Sequence, residues 1–505
     1  MFPNITKEKV MKPSKYQEAI ANAITTNTGN LQVGAVAGSG KSTTLAQVVA
    51  PRLSGTTCFL AFNKAIATEL GNKLPKGTEA KTIHSLAYGP VRRRYKQTKV
   101  EGRKYATIVG DFLEHLPGAS ASVVNLIDNG ADLRSPLVKM IDLVRNTLTN
   151  PEDDKAVINL ANHYDVEMPT GSLLEYFFVA LNKILAAGRA ESKFWLDFTD
   201  MLWLAATDPT IQPKKYDWLL IDECQDLSKA QLAVVSKALK PGGRAVFAGD
   251  ARQAINGFAG ADCDSFMNIH KEMDTTILPL TICYRCDASI IREAQKIVPE
   301  IEAREGAAEG SVSSISEEKF SPVEGDMVLC RTNAPLVSLC FRLISEGKPA
   351  RIKGRDIGAG LISTAKKITK KRGFAALGWE NFGEAVQQWL QAERVKLEKR
   401  KADEGRFQAL SDRAECLTVI WSSSTINTLR DFEKTVKGIF SDDRPGIQLS
   451  SVHRSKGLEN ERVYIIRPEL LPGPWAEEGT WQYEQEINLK YVAITRAKHE
   501  LVWVR

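Results

Sequence analysis

The sequence predicts an α/β protein with two blocks of parallel sheet, each flanked by helices and each interrupted by a mostly helical insertion. A glycine-rich loop near the start of the chain lies between an apolar run and a helical pattern. Short apolar runs that end in polar or aromatic residues recur in two separate parts of the chain, as buried parallel strands do. Two long stretches between these runs show helical periodicity instead.

The composition describes a globular protein with ample core, because 43% of its 505 residues are hydrophobic and 25% are charged. A chain of this length suggests about three to four structural domains. The net charge of +6 permits a polyanionic partner without requiring one. We find neither an apolar run long enough to span a membrane nor a secretory signal. We therefore expect a protein of the cytoplasm or the nucleus that is not secreted.

Eight cysteines are scattered along the chain, which favours a reducing compartment over a disulfide scaffold. Cys283 and Cys286 form a C-x-x-C pair. No second pair follows at the spacing of a zinc site, so we interpret these two residues as buried thiols.

The glycine-rich loop, residues 34–44, has the strand, loop and helix context that a phosphate-binding loop needs. Gly38 and Gly40 let backbone N–H groups turn toward an anion. The helix that begins near Lys41 adds the positive end of its dipole. Lys41 can reach the β- and γ-phosphates of a nucleotide, and the Ser42 hydroxyl can bind Mg²⁺. The loop therefore predicts a nucleoside triphosphate site.

Residues on either side of this loop supply further candidate contacts. Gln17 opens a preceding helix, and a side-chain amide can pair with the edge of adenine. Strands are predicted at 57–62 and 79–83, and they end in Phe62-Asn63 and in His84. In open α/β sheets the carboxyl edge of the strands carries the ligands.

The first insertion runs from about residue 88 to 190. Helical spacing predicts two apolar helix faces within it, one formed by Leu137, Met140, Ile141 and Val144 and one by Leu173, Tyr176, Phe177 and Leu181. The insertion begins with a basic run at 92–96 that includes an aromatic residue. Such a run is either a solvated face or a contact to phosphates, and the sequence leaves both readings open.

Acidic residues follow the next strand, at 216–221. Asp222 fits an oxygen ligand of Mg²⁺, and Glu223 fits the base that deprotonates an attacking water. The following strand, at 244–248, leads to Gln253, which can hydrogen-bond a γ-phosphate and so sense hydrolysis.

The second block is expected to begin near Thr276, and its insertion spans about 354–441. The α/β pattern returns at 447–453 and continues to a last strand at 501–504. We find no repeat of fixed period and no low-complexity segment.

Together these residues resemble superfamily 1A DNA helicases of the UvrD/Rep type, most closely the F-box DNA helicase subgroup and its phage and bacterial relatives. The resemblance covers nearly the whole chain. Alanine is usual in this family at the first loop position, where Ala35 stands. The motifs occur in the family's order: Tyr16-Gln17, Ala37 to Ser42, Ala61-Phe62-Asn63-Lys64, Thr82-Ile83-His84-Ser85, Asp222 to Asp226, Gly249 to Ala261, Tyr284-Arg285, His453 to Glu459, and Tyr491 to Ala497.

The resemblance implies two RecA-like P-loop motor domains, 1A and 2A, with insertions 1B and 2B and with ATP bound between the motor domains. The predicted limits are 1–90 and 191–274 for 1A, 91–190 for 1B, 275–354 and 444–505 for 2A, and 355–443 for 2B.

It also implies roles for individual residues. Those that would act in hydrolysis are Lys41, Glu223, Gln253 and two arginine fingers, Arg285 and Arg496. Those that would bind ATP are Gln17, Ala37, Gly38, Ser39, Gly40, Lys41, Ser42, Thr43, Tyr284 on adenine and Glu459 on the ribose. Mg²⁺ would be held by Ser42 and Asp222. Single-stranded DNA would contact Phe62, Asn63, His84, Phe258 and His453.

The function implied is an ATP-dependent DNA helicase and single-strand translocase of 3′→5′ direction. It would act in DNA replication, repair or recombination. Its substrates would be single-stranded DNA and tailed duplexes. Its protein partners would be a single-strand binding protein or a recombinase, and it would not bind a membrane.

Three departures from the family pattern keep alternatives open. Asn256 and Ala259 stand where an aromatic residue and an arginine are common, and the 2B insertion is short. The smaller set of aromatic residues and the short 2B insertion favour an ATP-driven remodeller of protein–DNA filaments that unwinds weakly. Thr43 stands where several relatives have arginine over adenine, which suggests looser base specificity.

Two further readings are weaker. One is a motor subunit of a helicase–nuclease complex, although no cluster of acidic residues typical of a nuclease site follows the last motif before Arg505. The two arginines of the second block argue against a small-molecule kinase.

Overall fold

The computed structural model describes residues 12–71, 73–164, 166–255, 265–370, 374, 378–399, 404–423, 426–441 and 445–505. Its internal contacts divide the chain into two compact units, Met1–Thr281 and Ile282–Arg505. Each unit contains a six-stranded sheet flanked by helices, and all strand pairs of both sheets within the described residues are parallel. This confirms the predicted fold class of two parallel-sheet α/β domains.

The strands of the first unit are β1 (Asn30–Ala35), β2 (Thr57–Ala61), β3 (Thr78–Thr82), β4 (Lys99–Val100), β5 (Trp195–Leu196), β6 (Tyr216–Ile221), β7 (Leu239–Gly249) and β8 (Thr275–Leu280). The sheet has the spatial order β3–β2–β6–β7–β1–β8, while β4 and β5 form a separate two-stranded ribbon. Every residue of β2 is buried, as expected for a strand with helices on both faces of its sheet. Because the strands are parallel, their carboxyl ends meet at one edge.

The helices of the first unit are α1 (Lys15–Thr26), α2 (Lys41–Thr43), α3 (Lys64–Gly71), α4 (Ile83–Arg94), α5 (Lys104–His115), α6 (Ala121–Asp128), α7 (Arg134–Thr147), α8 (Asp154–His163), α9 (Ser172–Glu191), α10 (Phe198–Thr207), α11 (Lys229–Lys237) and α12 (Ser265–Met273). The short α2 continues as a π-helical segment, Thr44–Val49. Helices α5 to α9 lie between β4 and β5 and form the first insertion.

The insertion has its own hydrophobic core, and the predicted helix faces supply much of it. Leu137, Met140, Ile141 and Val144 are all buried along one side of α7. The predicted face of α9 is also buried, with Phe177 fully enclosed. Helical spacing of apolar residues therefore identified both faces correctly.

Buried charges join this insertion to the helix that follows it. Lys104 of α5 lies 2.6 Å from Asp200 of α10, and both side chains are fully buried. Arg145 of α7 bonds both carboxylate oxygens of Asp197 at 2.8 and 2.9 Å, and it also bonds Asp200 at 2.9 Å. Tyr105 donates to the same Asp200 carboxylate at 3.1 Å. Two cations and two carboxylates thus neutralise each other inside the unit, which buried ion pairs require.

The strands of the second unit are β9 (Ile282–Cys283), β10 (Glu302–Ala303), β11 (Ser311–Ile315), β12 (Met327–Cys330), β13 (Ala350–Ile352), β14 (Ile447–Ser451), β15 (Asn460–Ile466) and β16 (Ala497–Val504). The sheet has the order β11–β16–β15–β12–β14–β13, and β9 pairs with β10 in a small ribbon.

The helices of the second unit are α13 (Ala288–Gln295), α14 (Ala334–Ser345), α15 (Arg355–Thr369), α16 (Phe382–Lys399), α17 (Glu404–Ser422), α18 (Leu429–Ile439) and α19 (Trp481–Ile494). Four of them, α15 to α18, lie between β13 and β14 and form the second insertion. Within the described ranges, no helix is both long and apolar enough to cross a membrane.

The division between the units differs from the boundary expected near residues 274 and 275. β8 pairs with β1 in parallel, from Asn30 opposite Thr275 to Ala35 opposite Leu280, so it is the edge strand of the first sheet. The apolar run was expected to open the second block because periodicity does not specify which sheet a strand joins. The limits predicted for the insertions stay predictions.

Candidate functional site

The carboxyl edge of the first sheet collects the polar residues that the sequence singled out. The glycine-rich loop follows β1, Phe62 follows β2 and His84 lies just after β3. Asp222 follows β6 directly, and Asp250 follows β7. Parallel pairing of these strands is what brings residues so distant in sequence to the same edge.

The loop itself has the backbone shape of an anion cradle. Gly38 has a φ of 67° and Gly40 a φ of 77°, and L side chains rarely adopt such values. Ser39 is fully buried, and its hydroxyl donates to the carbonyl of Val36 at 2.8 Å. That bond fixes the loop against the strand it leaves. Ala37 is fully enclosed at the base of the turn.

The loop and the acidic strand end are in direct contact. The Ser42 hydroxyl donates a hydrogen bond to Asp222 Oδ2. Lys41 Nζ lies 3.6 Å from Glu223 Oε1, and the Lys41 side chain is buried. Glu223 has a φ of 53°, a left-handed conformation that non-glycine residues rarely adopt and that is concentrated at functional sites. The predicted phosphate, metal and base residues therefore form one cluster.

Gln225 connects this cluster to the next strand; it lies inside the motif Asp222 to Asp226, but no role was predicted for it. Its Nε2 donates to Glu223 Oε2 at 2.6 Å, and its Oε1 accepts from the backbone N–H of Asp250 at 3.0 Å. Asp250 Oδ2 in turn accepts from Gln253 Nε2 at 2.7 Å. The chain of hydrogen bonds runs from the candidate base to the candidate phosphate sensor.

The electrostatics of the cluster suit a divalent cation. Burial, followed by the neighbouring Glu223 carboxylate, raises the pKa of Asp222 to about 6. Burial also raises the pKa of Asp250, against the opposing effect of Lys41. A cation beside Asp222 would relieve this repulsion, and a hydroxyl with a carboxylate oxygen is a donor set that Mg²⁺ accepts. Ser42 and Asp222 therefore fit the metal predicted for them.

Gln17 has internal partners in the structure. Its Oε1 accepts from the backbone N–H of Ser14 at 2.9 Å, which completes the cap of α1. Its Nε2 donates to the Thr44 hydroxyl at 2.9 Å, and both residues are buried. If the Gln17 amide contacts adenine, that contact must replace these two hydrogen bonds or share their donor and acceptor atoms. Thr43 is half-buried beside Thr44, and its predicted place near the nucleotide stays a prediction.

An exposed aromatic surface lies along the same edge of the first unit. Phe62 is 57% exposed, an unusual state for so large an apolar side chain. Asn63 is exposed, and its side chain accepts from the backbone N–H of Ile66, so it also caps α3. Burial lowers the pKa of His84, which keeps its ring neutral. Phe258 lies outside the described residues.

Phe198 is a further aromatic residue of this surface that the sequence did not single out. Its ring meets that of His84 edge to face with centroids 6.3 Å apart, yet the side chain is 60% exposed. It begins α10, directly after Asp197 of the buried charge network. Phe198 stands between Asp197 and Thr199, outside the motifs quoted from the sequence, and a single phenylalanine there gives no sign of its exposure.

The second unit gathers the two predicted arginine fingers with Glu459. Arg285 Nε lies 2.7 Å from Glu459 Oε2, and Arg285 Nη1 donates to the carbonyl of Thr495 at 3.3 Å. Arg496 is buried and donates to the carbonyl of Leu458 at 3.0 Å. Burial alone would raise the pKa of Glu459, but Arg285 and other cationic groups outweigh it and lower that pKa.

Two more predicted residues lie in the second unit. Tyr284 is 40% exposed, as a residue that stacks on a ligand must be, and its carbonyl accepts from Arg304 at 2.6 Å. Burial, and then the charges of Arg331 and Arg454, lower the pKa of His453 to about 3. His453 is therefore a neutral ring at the carboxyl end of β14.

Two parallel-sheet units, the first with a phosphate loop joined to an acidic strand end, define a protein with two RecA-like domains. The family model of the UvrD/REP helicase N-terminal domain matches residues 16–274, and that of the UvrD-like helicase C-terminal domain matches residues 359–504. The chain belongs to the UvrD/REP helicase family, as its motifs predicted.

Individual relatives agree with this assignment. F-box DNA helicase protein 1 of Schizosaccharomyces pombe is 25% identical over 94% of this chain and 55% of its own length. ATP-dependent DNA helicase UvrD2 of Mycobacterium bovis is 22% identical over 94% of this chain and 76% of its own length. ATP-dependent DNA helicase PcrA of Leuconostoc citreum is 25% identical over 55% of this chain and 38% of its own length. The chain thus spans about half the length of the fission yeast protein and less than half the length of this PcrA.

Proposed function

We propose that the chain is an ATP-driven translocase on single-stranded DNA that unwinds duplexes carrying a 3′ tail. The observation that carries this proposal lies at one edge of the first sheet. The phosphate loop contacts the acidic pair Asp222 and Glu223 there. The exposed ring of Phe62 and the ring pair of His84 and Phe198 lie along the same edge. Such an edge offers nucleotide chemistry and base stacking from one rigid scaffold. The printed names of the relatives, which are DNA helicases, support the same assignment.

In the proposed chemistry, Glu223 accepts the proton of the water that attacks the γ-phosphate. Lys41 and Gln225 support this role because both contact its carboxylate, at 3.6 and 2.6 Å. Two fixed donors orient the carboxylate toward its role as a base. Gln253, which is bonded to Asp250, occupies the end of the same hydrogen-bond chain and responds to the presence of the γ-phosphate.

Mg²⁺ would be held by the Ser42 hydroxyl and Asp222. When bound, it supplies positive charge that neutralises the β- and γ-phosphate oxygens. Asp222 needs to be ionised for this role, which its environment opposes until a cation is present.

Arg285 and Arg496 would complete hydrolysis from the second unit. Their support is family membership together with their shared surroundings, since Arg285 bonds Thr495 and Arg496 bonds Leu458. A guanidinium held by several neighbours stabilises the transition state at little reorganisation cost. If ATP turnover depends on these two arginines, hydrolysis is coupled to the second unit.

On the DNA side, Phe62, Phe198 and neutral His84 would stack against successive bases. Stacking tolerates every base identity, which suits a protein that steps along any sequence. His453 would add a neutral ring from the second unit.

The test measures ATP hydrolysis with and without single-stranded DNA, and unwinding of 3′-tailed, 5′-tailed and blunt duplexes. Hydrolysis should rise with single strands, and only the 3′-tailed duplex should be separated. Lys41→Ala should lose nucleotide turnover. Glu223→Gln should bind ATP yet hydrolyse it at least about 100-fold more slowly, because an amide cannot accept the proton.

Lys73→Ala provides the matched control, since Lys73 makes an exposed ion pair with Glu69 and has no part in the cluster. Its turnover should equal that of the unchanged chain. Hydrolysis that ignores single-stranded DNA would refute the proposal, and preference for the 5′-tailed duplex would refute its direction.

A further inference from the structure

The Cys283–Cys286 pair is a chemical feature that the proposed function leaves unused. Cys283 ends β9, and Cys286 lies two residues before α13 begins at Ala288. Tyr284 and Arg285 are the two residues between them. Both cysteine side chains are fully buried and are free thiols. Because the pair brackets Arg285, any bond between the sulfurs closes a ring around a candidate arginine finger.

The two thiols have different environments. Hydrogen bonding from the Cys286 side chain, opposed by burial and aided by the backbone N–H groups of Cys286 and Arg285, lowers the pKa of Cys283 to about 7. The same contact raises the pKa of Cys286 well above its ordinary value. Cys283 is thus the thiolate of the pair and Cys286 is the proton donor, which is the division of labour in reactive C-x-x-C pairs.

Other buried cysteines of the chain provide the contrast. Burial raises the pKa of Cys340 to about 12. The pKa of Cys58 is also raised to about 12, and burial is the largest of several causes. These thiols are the inert kind that fills a core. Lowered pKa together with an adjacent second thiol distinguishes Cys283 from them.

The pair is also connected to the arginine it brackets. Cys286 Sγ lies 3.8 Å from the carbonyl oxygen of Thr495, the same oxygen that accepts from Arg285 Nη1 at 3.3 Å. Arg285 Nε lies 2.7 Å from Glu459 Oε2. Disulfide formation removes the Cys286 proton and moves its sulfur relative to the Thr495 carbonyl, and so alters the surroundings of a contact that positions Arg285.

We propose that Cys283 and Cys286 are a peroxide-sensitive site that forms a reversible disulfide and thereby lowers ATP turnover. The Cys283 thiolate attacks one oxygen of hydrogen peroxide and breaks the O–O bond. This gives a sulfenic acid and a hydroxide ion that takes up a proton. Cys286 then attacks the Cys283 sulfur, the S–S bond forms, and the sulfenic oxygen leaves as water. Two thiols and one peroxide become one disulfide and two waters.

A small oxidant is required because both sulfurs are buried. Hydrogen peroxide is compact enough to reach Cys283 through a brief opening of the two-residue pairing between β9 and β10. A large disulfide reagent needs contact with the sulfur itself and should react more slowly. Thiol reductants restore the pair, so the modification is a switch and not damage.

The disulfide changes turnover through Arg285 as a positioning effect. Joining the sulfurs requires the two Cβ atoms to lie about 3.5–4.5 Å apart and fixes the backbone of Tyr284 and Arg285. The guanidinium then no longer has its present alignment. We expect ATP hydrolysis to fall by at least about tenfold, since arginine fingers contribute far more than this. This effect rests on the proposed function of Arg285, whereas disulfide formation does not.

The test treats the full chain with hydrogen peroxide, blocks remaining thiols with an alkylating reagent, and maps the peptides by mass spectrometry. A Cys283–Cys286 linked peptide should appear and should vanish after reduction with dithiothreitol. Its rate of formation should rise with pH through about 7 and level off above about 8, following the thiolate of Cys283. Unmodified Cys283 under conditions that also leave Cys340 unmodified would overturn the proposal.

Variants separate the steps. Cys286→Ser should stop at the Cys283 sulfenic acid, which dimedone traps, and Cys283→Ser should yield no disulfide. Cys340→Ala should oxidise like the unchanged chain. If the disulfide forms while DNA-stimulated hydrolysis stays constant, the switch is refuted. If the reduced chain shows no such hydrolysis, the proposed function fails and the turnover part of the switch falls with it, whereas the peptide map still decides the disulfide.

Discussion

Gln225 donates its side-chain N–H to the carboxylate of Glu223, with Nε2 and Oε2 only 2.6 Å apart. The other end of the same amide accepts from the backbone of Asp250 at 3.0 Å. Gln225 is fully buried, so neither bond is exchanged with bulk water. The candidate base is therefore held in place from the neighbouring strand of the sheet.

Removing this support should slow hydrolysis without weakening nucleotide binding. Gln225→Ala deprives Glu223 of a donor and leaves the N–H of Asp250 without its present acceptor. We expect single-turnover ATP hydrolysis to fall about 10- to 100-fold, a fraction of what a general base contributes. Gln225→Glu keeps the acceptor for Asp250 and loses the donor, so it should be slowed as well. Equal loss of nucleotide affinity, measured with a fluorescent analogue, would argue against a positioning role.

Phe198 should matter for grip on DNA although it lies apart from every family motif quoted from the sequence. Phe198→Ala should weaken binding to single-stranded oligonucleotides by about 1–3 kcal/mol, the value of one stacked base. Phe62→Ala should have an effect of similar size. Val179→Ala is the control, because Val179 is an exposed apolar residue of α9 that belongs to the insertion. Fluorescence anisotropy checks all three, and an unchanged Phe198→Ala would remove this residue from the DNA surface.

The buried charge network should be costly to break. Lys104→Met leaves the Asp200 carboxylate with less compensation in a fully buried position, which costs about 3–5 kcal/mol of stability. Lys73→Met removes an exposed ion pair to Glu69 and should leave the unfolding midpoint nearly unchanged, because solvent already screens that pair. Denaturant unfolding of the two variants side by side measures the difference. Similar midpoints for both would mean that solvent reaches the network.

His453 makes stability depend on pH. Its pKa is about 3 in the fold against an ordinary value of 6.5, so the unfolded chain binds the proton more readily. Stability from this group is complete above about pH 6.5 and is lost as the pH falls toward about 3. Between pH 7 and about pH 5 the unchanged chain should lose about 2 kcal/mol more than His453→Gln. Parallel losses in both proteins would show that the ring is already solvated.

The sequence predicted most of the nucleotide cluster because each residue follows a recognisable strand. Asp222 and Glu223 end an apolar run, and the glycine loop has a local signature that needs no partner. Gln225 was not predicted because its role depends on Asp250, which approaches it only when β6 and β7 pair. Its place in the motif Asp222 to Asp226 does not reveal that bond, because the partner follows a different strand.

Two other differences have the same origin in tertiary contacts. β8 was expected in the second block, since an apolar strand shows no sign of which sheet it joins, whereas its pairing with β1 assigns it to the first. Phe198 lies in none of the motifs quoted from the sequence, yet its ring is mostly exposed at the start of α10. Burial on the faces of α7 and α9 was predictable, whereas exposure of the first residue of α10 was not.

The network of Lys104, Arg145, Asp197 and Asp200 also has a mechanical consequence. It joins α5 and α7 of the insertion to the first turn of α10 through short ion pairs, without a flexible linker at that point. The insertion should therefore behave as a rigid arm of the first unit. Under the proposed function, a load on this arm would reach α10 at Asp197, one residue from the Phe198 ring. The arm and the proposed site of base stacking would then respond to such a load together.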